Sequence, residues 1–268
     1  MNKIFLIIKE QLNHFGIIFR VARYESRASY QGHYLGLFWE FLNPIIQIGT
    51  YFVVFGLGVR RGSSVNGVPF IAWMLVGITV WFFINKSVLD CSNSIHRKIG
   101  MVSKMKFPVS TLPAITVTGL LKTFWAMLGA SIITLLVFQI WPTIYWLQFF
   151  YYFFALIVFL YFFGLLAATL TILIRDFHFL LQSTMRLLFY FSGPILVIED
   201  LFSGRLLRLL ELNPFYYLIS GFRSTFLSQG LFWGRGSQSL FFWSLTLTIA
   251  LLASHLHLKF RSKFVDLI

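Results

Sequence analysis

The chain has 268 residues, of which 58% are hydrophobic and only 12% are charged, and its mean hydropathy is +0.78. This composition excludes a water-soluble globular protein, because so few polar residues cannot cover so much apolar side chain. The net charge of +13 comes from Lys and Arg spread over the short connections between apolar segments, so it favours topology signals and predicts no nucleic-acid partner. We therefore expect an all-α integral membrane protein in contact with membrane lipids.

The first predicted element is an amphipathic interface helix in residues 1–30. Ile8, Leu12, Phe15 and Phe19 recur at helical spacing, while basic and polar residues follow a second stripe. A helix with one apolar and one basic face binds at the level of the lipid headgroups. We expect this helix to lie on the membrane surface.

Six apolar segments in residues 31–268 form the predicted membrane domain. Each is long enough to cross a hydrocarbon core about 30 Å thick. We place the six transmembrane helices at about 37–59, 69–89, 114–140, 144–174, 177–198 and 240–258. Lys and Arg are more frequent on the side that carries the N-terminus, so the chain is predicted to be a multi-pass protein of the cytoplasmic membrane with both termini cytoplasmic.

The longest predicted cytoplasmic connection follows the second span, and residues 90–106 within it form a candidate contact segment for a partner. Good capping residues stand ahead of a basic and apolar run, and Gly100 is a natural helix stop. A short helix with these two faces fits a groove on another protein. The predicted contact residues are Asn93, Ser94, Ile95, His96, Arg97 and Lys98. The alternative is a solvated connector whose charges only hold the topology.

Residues 199–239, on the outer side between the last two spans, contain apolar runs that are too short to cross the membrane. One of them, 212–227, contains Arg223. We predict two short re-entrant helices, sheltered by protein or lining a wet cavity, because irregular backbone is not tolerated against lipid. The alternative is an amphipathic hairpin resting on the outer surface.

No catalytic site is predicted in this chain. It lacks the G-x-x-x-x-G-K-[ST] phosphate loop, so a different chain must bind any ATP that is used. Cys91 is the single cysteine, which excludes an intrachain disulfide and a cysteine-based metal site. Glu199 and Asp200 are the one candidate pair for acid–base catalysis, but adjacent residues diverge on a helix. We predict neither a metal nor a cofactor in this chain.

Four stretches resemble the permease subunits of ABC exporters for lipid-linked glycopolymers. They are Tyr30–Gln47, which contains Asn43-Pro44, Met101–Pro108, Leu173–Phe177 with Arg175-Asp176, and Leu212–Tyr216, which is followed by Arg223. The first stretch and the run from Met101 to Met105 are more narrowly similar to wall teichoic acid export permeases of Gram-positive bacteria. The resemblance extends over nearly the whole chain.

The resemblance implies a homodimer of permeases assembled with two ABC ATPase subunits, which bind ATP and Mg. It implies ATP-driven export of undecaprenyl diphosphate-linked wall teichoic acid for cell wall biogenesis, by a translocase in which the ATPase subunit hydrolyses ATP. Residues 90–106 would then hold the helix that couples this subunit to the ATPase. The alternatives are an export permease for another lipid-linked polysaccharide of the O-antigen or capsule type, an exporter of drugs or lipids, and a membrane enzyme or scaffold.

Aromatic residues on the first and fifth spans are the candidates for a substrate channel, because sugars and alditols slide along aromatic faces without tight directional bonds. These residues are Phe41, Tyr51, Phe52, Phe55, Phe189 and Tyr190. The alternative is that they face lipid or pack helices together. Four basic residues on the outer side, Arg60, Arg61, Arg205 and Arg208, are candidate contacts for a polyanion. Binding of anionic lipid headgroups explains them equally well.

Overall fold

The computed structural model describes residues 3–28, 34–59, 64–102 and 108–264, and this part of the chain is almost entirely helical. The helices are α1 (Lys3–Asn13), α2 (Phe15–Ala28), α3 (Trp39–Tyr51), α4 (Phe70–Ser92), α5 (Ser94–Val102), α6 (Leu112–Val137), α7 (Gln148–Leu173), α8 (Phe177–Phe191), α9 (Ile198–Leu201), α10 (Gly204–Glu211), α11 (Pro214–Phe226) and α12 (Gly236–Phe260). A π-helical segment, Phe52–Val59, continues α3. Two short strands, β1 (Ser64–Val65) and β2 (Val68–Pro69), pair in an antiparallel hairpin ahead of α4.

Four helical segments of the described residues are long and apolar enough to cross a membrane. They are Phe70–Ser92, Val109–Val137, Ile144–Leu173 and Phe232–Lys263. These segments coincide with the second, third, fourth and sixth predicted spans. The chain therefore has the architecture of an all-α, multi-pass membrane protein.

The first and fifth predicted spans differ from the other four. The first is helical from Trp39 to Val59, as α3 and the π-helical segment, but its apolar stretch is only Ile45–Phe55. The fifth ends at Phe191, because Gly193 adopts a positive φ of 66° and Pro194 follows it. With 15 residues, α8 is only about 22 Å long at 1.5 Å per residue. Full crossings by these two segments thus stay predictions, because the apolar stretch of the first and the whole of α8 are short.

Helix α4 lies at the centre of the bundle. In its apolar stretch 78% of the residues are buried, against 28% in the segments that contain α6 and α12. It packs against α6, α7, α8 and α11. At Gly164 on α7 a Cβ would lie 2.8 Å from Cβ of Cys91, so the close approach of α4 and α7 requires glycine there. Helix α4 therefore sets the relative positions of α6, α7, α8 and α11.

The N-terminal segment forms two helices with a turn at His14, where one interface helix was predicted. Ile7 of α1 is fully buried in a small cluster with residues of α7 and α12. Glu10 of α1 accepts a hydrogen bond from Arg261 at 3.0 Å. Helix α2 packs along α6. Both helices therefore pack against one end of the bundle, the end where α5 and the last residues of α12 lie.

Candidate functional site

The structure brings together three of the six aromatic residues that were predicted to line a channel, Tyr51, Phe55 and Phe189. The ring of Tyr51 lies 6.1 Å from the ring of Phe55 and 6.3 Å from that of Phe189 on α8. Trp81 of α4 completes the group at 5.7 Å from Phe189. We call these four residues the aromatic cluster. It joins α3, the π-helical segment, α4 and α8, with Trp81 buried and the other three rings half-buried.

The other predicted channel residues are less closely involved. Phe52 is half-buried, and Tyr190 is exposed beside Phe189. The side chain of Phe41 lies outside the part of the chain that the structure describes. Trp81 and Phe82 were not singled out from the sequence, because a run of apolar residues in a central helix carries no signal that distinguishes a channel face from a packing face.

Helix α11 is buried along almost its whole length and is held by Arg223. The guanidinium donates to the carbonyl oxygens of Trp73, Gly193 and Pro194 at 3.2, 2.8 and 2.7 Å. An arginine stays protonated in proteins, and three carbonyl acceptors compensate part of the cost of burying its charge. Arg223 therefore ties α11 to the start of α4 and to the turn that ends α8.

A polar cavity of about 400 Å³ opens beside Arg223. It is lined by groups of both charges, including Glu199, Asp200 and Arg235. The hydroxyl of Tyr216 donates to the Glu199 carboxylate, and Arg235 donates to Ser220 at 2.7 Å. Glu199 thus has a structural partner, and the two adjacent carboxylates are exposed. This arrangement gives no support to acid–base catalysis by the pair.

The predicted outer basic residues fall into two groups. Arg205 and Arg208 lie on the short helix α10, and both are exposed. Leu206 and Leu209 of the same helix are exposed as well. Arg60 and Arg61 lie outside the described residues. Helix α10 is therefore an amphipathic surface element that can meet either anionic lipid or anionic cargo.

The predicted contact segment forms a helix, α5, which is separated from α4 by the single residue Asn93. It continues past Gly100 to Val102, beyond the stop that the glycine suggested. Ile95 is fully buried in a cluster with residues of α2, α6 and α7, so it is not available to a partner. His96 and Arg97 are exposed. Any partner that docks on α5 therefore meets these two side chains.

Residues at the start of α5 also contact other elements of the bundle. His178 of α8 lies 2.7 Å from the Ser92 hydroxyl and 3.3 Å from the Asn93 amide nitrogen. Lys98 donates to Glu25 of α2 at 2.7 Å. Ser94 is buried, and its hydroxyl has no hydrogen-bond partner among the described residues. His178 of α8 thus contacts the junction of α4 and α5, and Lys98 joins α5 to α2.

Comparison with known proteins agrees with this architecture. Residues 18–227 match the profile of the family described as ABC-2 type transporter. The O-antigen export system permease protein RfbA of Myxococcus xanthus is 25% identical over 229 residues, which cover 84% of this chain and 85% of that protein. An O-antigen export system permease protein RfbA of Klebsiella pneumoniae is 22% identical over 248 residues, which cover 92% of this chain and 93% of its own.

Proposed function

Because the chain belongs to the ABC-2 type transporter family, we propose that it is the permease subunit of an ABC exporter for a lipid-linked polysaccharide of the O-antigen type. The main support is that two proteins named as O-antigen export permeases align with 84% and 92% of this chain. Neither name refers to teichoic acid or to a Gram-positive organism. The comparisons therefore favour the O-antigen alternative over the wall teichoic acid expectation.

The aromatic cluster is consistent with a path for a polysaccharide. It joins α3 and α8, the two elements predicted to line a channel, across one face of α4. Tyr190, whose ring lies 5.3 Å from that of Phe189, adds an exposed aromatic surface to the cluster. Aromatic rings offer sugars a large apolar contact area at a small cost in side-chain conformational entropy. The polymer passes along this surface in the proposed mechanism.

Helix α5 is the proposed coupling element. A subunit with no phosphate loop must receive ATP-driven motion from an ABC ATPase, which binds ATP and Mg in the proposed complex. The exposed His96 and Arg97 supply the contact surface, while Asn93 and Lys98 connect α5 to α8 and α2. The buried Ile95 anchors the helix to the bundle.

The proposed topology retains six crossings, with both termini in the cytoplasm. Helix α3 together with the π-helical segment supplies the first crossing, and α8 with the turn after it supplies the fifth. Helices α9, α10 and α11 form the re-entrant region. Residues 215–226 of α11 are all buried. A helix that ends inside the bilayer needs such burial, because the unpaired backbone groups at its ends must be shielded from lipid.

Two copies of the chain with two ATPase subunits form the proposed transporter. Helix α3 exposes several large apolar side chains in the single chain, among them Ile45 and Ile46. Crosslinking Ile46→Cys between neighbouring copies in a preparation active in export tests this arrangement. Purely monomeric behaviour in that preparation would contradict it.

The function is tested by deleting the gene in its host and following the surface polysaccharide. Export predicts that polymer is still synthesised but becomes accessible to lectin or antibody only after the cells are permeabilised. Complementation with the wild-type gene must restore labelling of intact cells. Unchanged surface polysaccharide in the deletion strain would contradict the proposal. Copurification of an ABC ATPase with the tagged chain separates a permease from a membrane enzyme or scaffold.

Chemical analysis of the retained polymer separates the remaining alternatives. Retention of glycan without alditol phosphate supports the O-antigen type. Retention of poly(alditol phosphate) would instead support the teichoic acid expectation, for which Arg205 and Arg208 on the exposed face of α10 are the candidate contacts.

A further inference from the structure

A second cavity lies between α3, α4 and α6, near the end of α4 that leads into α5. Its volume is about 460 Å³. Its floor is apolar, because Phe83, Phe124 and Met127 line it and are buried. Its polar lining residues are Asn43, Gln47, Asn85, Lys86, Asp90 and Thr123. The cavity thus combines a hydrophobic base with a ring of hydrogen-bonding groups.

Lys86 is the cationic group of this cavity. It lies within the candidate span Phe70–Ser92, six residues before the end of the helix, or about 9 Å along its axis. It forms no hydrogen bond or ion pair with any residue that the structure describes. An ionisable residue inside a membrane helix is costly unless it has a partner or a function. A lysine at this distance from the helix end reaches the level of the lipid headgroups by extending its side chain along the helix.

The other charged residues around Lys86 are paired. Asp90, one turn along α4, accepts from Arg97 at 3.0 Å. A smaller cavity of about 270 Å³ shares Lys86, Asp90, Leu120 and Thr123 with the first and extends toward α2. Lys98, which lines that smaller cavity, is paired with Glu25. The ammonium of Lys86 is therefore the group that is left to bind an anion where the two cavities meet.

We propose that this cavity binds the phosphate headgroup of an anionic lipid, with Lys86 as the cationic contact and the amides of Asn85, Asn43 and Gln47 as hydrogen-bond donors. Basic pockets between membrane helices at the level of the headgroups bind such lipids. Lysine binds phosphate as a point charge, so it needs no rigid geometry. The apolar floor receives the first part of the hydrocarbon chain.

Two sources can supply this headgroup. One is an anionic phospholipid of the bilayer. The other is the polyprenyl diphosphate that carries the polymer, and this second source rests on the proposed function. Either lipid would place its headgroup in the cavity and keep its chain in the hydrocarbon layer.

The test measures lipid binding to the purified transporter by native mass spectrometry, with dioleoylphosphatidylglycerol and farnesyl diphosphate as the two probes. Lys86→Gln should weaken binding of at least one probe by about five- to tenfold, since one lysine near the membrane surface is worth about 1 kcal/mol to an anionic lipid. Lys86→Arg should retain binding. The matched control is Lys122→Gln on α6, whose ammonium donates to Ser26 at 2.8 Å outside this cavity.

A second variant keeps the test decisive if Lys86→Gln is poorly produced. Asn85→Asp adds a negative charge beside the site and should weaken the same probe. A preference for farnesyl diphosphate assigns the site to the cargo lipid, and a preference for phosphatidylglycerol assigns it to a bilayer lipid. Wild-type binding of both probes by Lys86→Gln or by Asn85→Asp would overturn the proposal and leave a lysine that only reaches toward the membrane surface.

The outcome is separable from the test of the proposed function. If gene deletion leaves the surface polysaccharide unchanged while Lys86→Gln still weakens phosphatidylglycerol binding, the proposed function fails and the lipid site stands. If export depends on the chain while the variants bind both probes normally, the lipid site fails and the proposed function stands.

Discussion

The guanidinium carbon of Arg223 lies 3.2 Å from the centre of the Trp73 indole ring, so that the cation stacks on the aromatic face. The same guanidinium donates to three backbone carbonyls. Gly77, one turn after Trp73 on α4, leaves the space that the guanidinium occupies. One arginine therefore fixes the relative positions of α4, α8 and α11.

This geometry predicts that Gly77→Ala destabilises the protein. The added Cβ would overlap the guanidinium of Arg223 and would lie 2.8 Å from the carbonyl oxygen of Pro194. We expect a loss of about 3 kcal/mol, the range seen when a packed interior is overfilled and a buried charge loses its partners. Thermal unfolding of the purified protein measures this as a lower midpoint. The control is Gly129→Ala on α6, where no atom lies within 4 Å of the new Cβ, and equal midpoints for the two variants would contradict the assigned role.

The second prediction separates the anchor of α5 from its contact surface. Ile95→Ala should lower the free energy of unfolding by about 2–5 kcal/mol, because it removes a fully buried side chain. The double variant His96→Ala, Arg97→Ala changes exposed residues. It should preserve the unfolding midpoint and reduce both ATPase association and polymer export.

Arg20→Ala on α2 is the matched control for loss of basic charge, since Arg20 is exposed and, among the described residues, its side chain donates to the Gly16 carbonyl of its own helix. Copurification of the ATPase measures association. Normal copurification and export in the double variant would remove α5 from the coupling mechanism.

The third prediction concerns the aromatic cluster. Phe189→Ala should reduce the rate of polymer export about two- to tenfold, the effect of losing roughly 0.5–1.5 kcal/mol of contact with an aromatic ring. The amount of assembled transporter should be unchanged. Pulse-labelling of the polysaccharide followed by surface detection gives the rate. Phe150→Ala on α7, where the ring is 71% exposed, serves as the comparison, and an equal effect of both substitutions would indicate that Phe189 only packs helices.

The fourth prediction tests the orientation in the membrane. Cys91 is fully buried, so the native chain should resist thiol reagents from either side and provide a low background. A cysteine introduced by His96→Cys should react only after the inner face is opened to the reagent. One introduced by Gln139→Cys, on the opposite side and exposed, should react in intact cells. The reverse pattern would invert the proposed topology.

The sequence by itself determined the class of protein and most of its long helices. A helix needs about 20 apolar residues to cross a membrane. Segments such as 144–174 have them, and this local property can be recognised without any tertiary contact. The absence of a phosphate loop, a property of the sequence alone, predicted that another chain binds ATP. The short helix after Asn93 was also predicted, because capping residues and an amphipathic pattern are local signals.

Only the tertiary structure decided which residues meet. The sequence does not show that Ile95 faces the bundle while His96 and Arg97 face outward, because this depends on how α2, α6 and α7 surround α5. The contact of Tyr51 with Phe189 joins residues far apart in the chain, and among so many phenylalanines no pattern distinguishes those that pack together.

That Lys86 has no partner among the residues that the structure describes is likewise a property of the fold. From the sequence, this lysine is expected to extend to the nearer membrane surface. In the structure it borders a cavity, and the charged residues near it, Asp90 and Lys98, are already paired. Hydropathy depends on each residue separately, whereas the electrostatic environment of a charge depends on groups brought together from several helices. The helices were thus determined locally, and the candidate sites were decided by their packing.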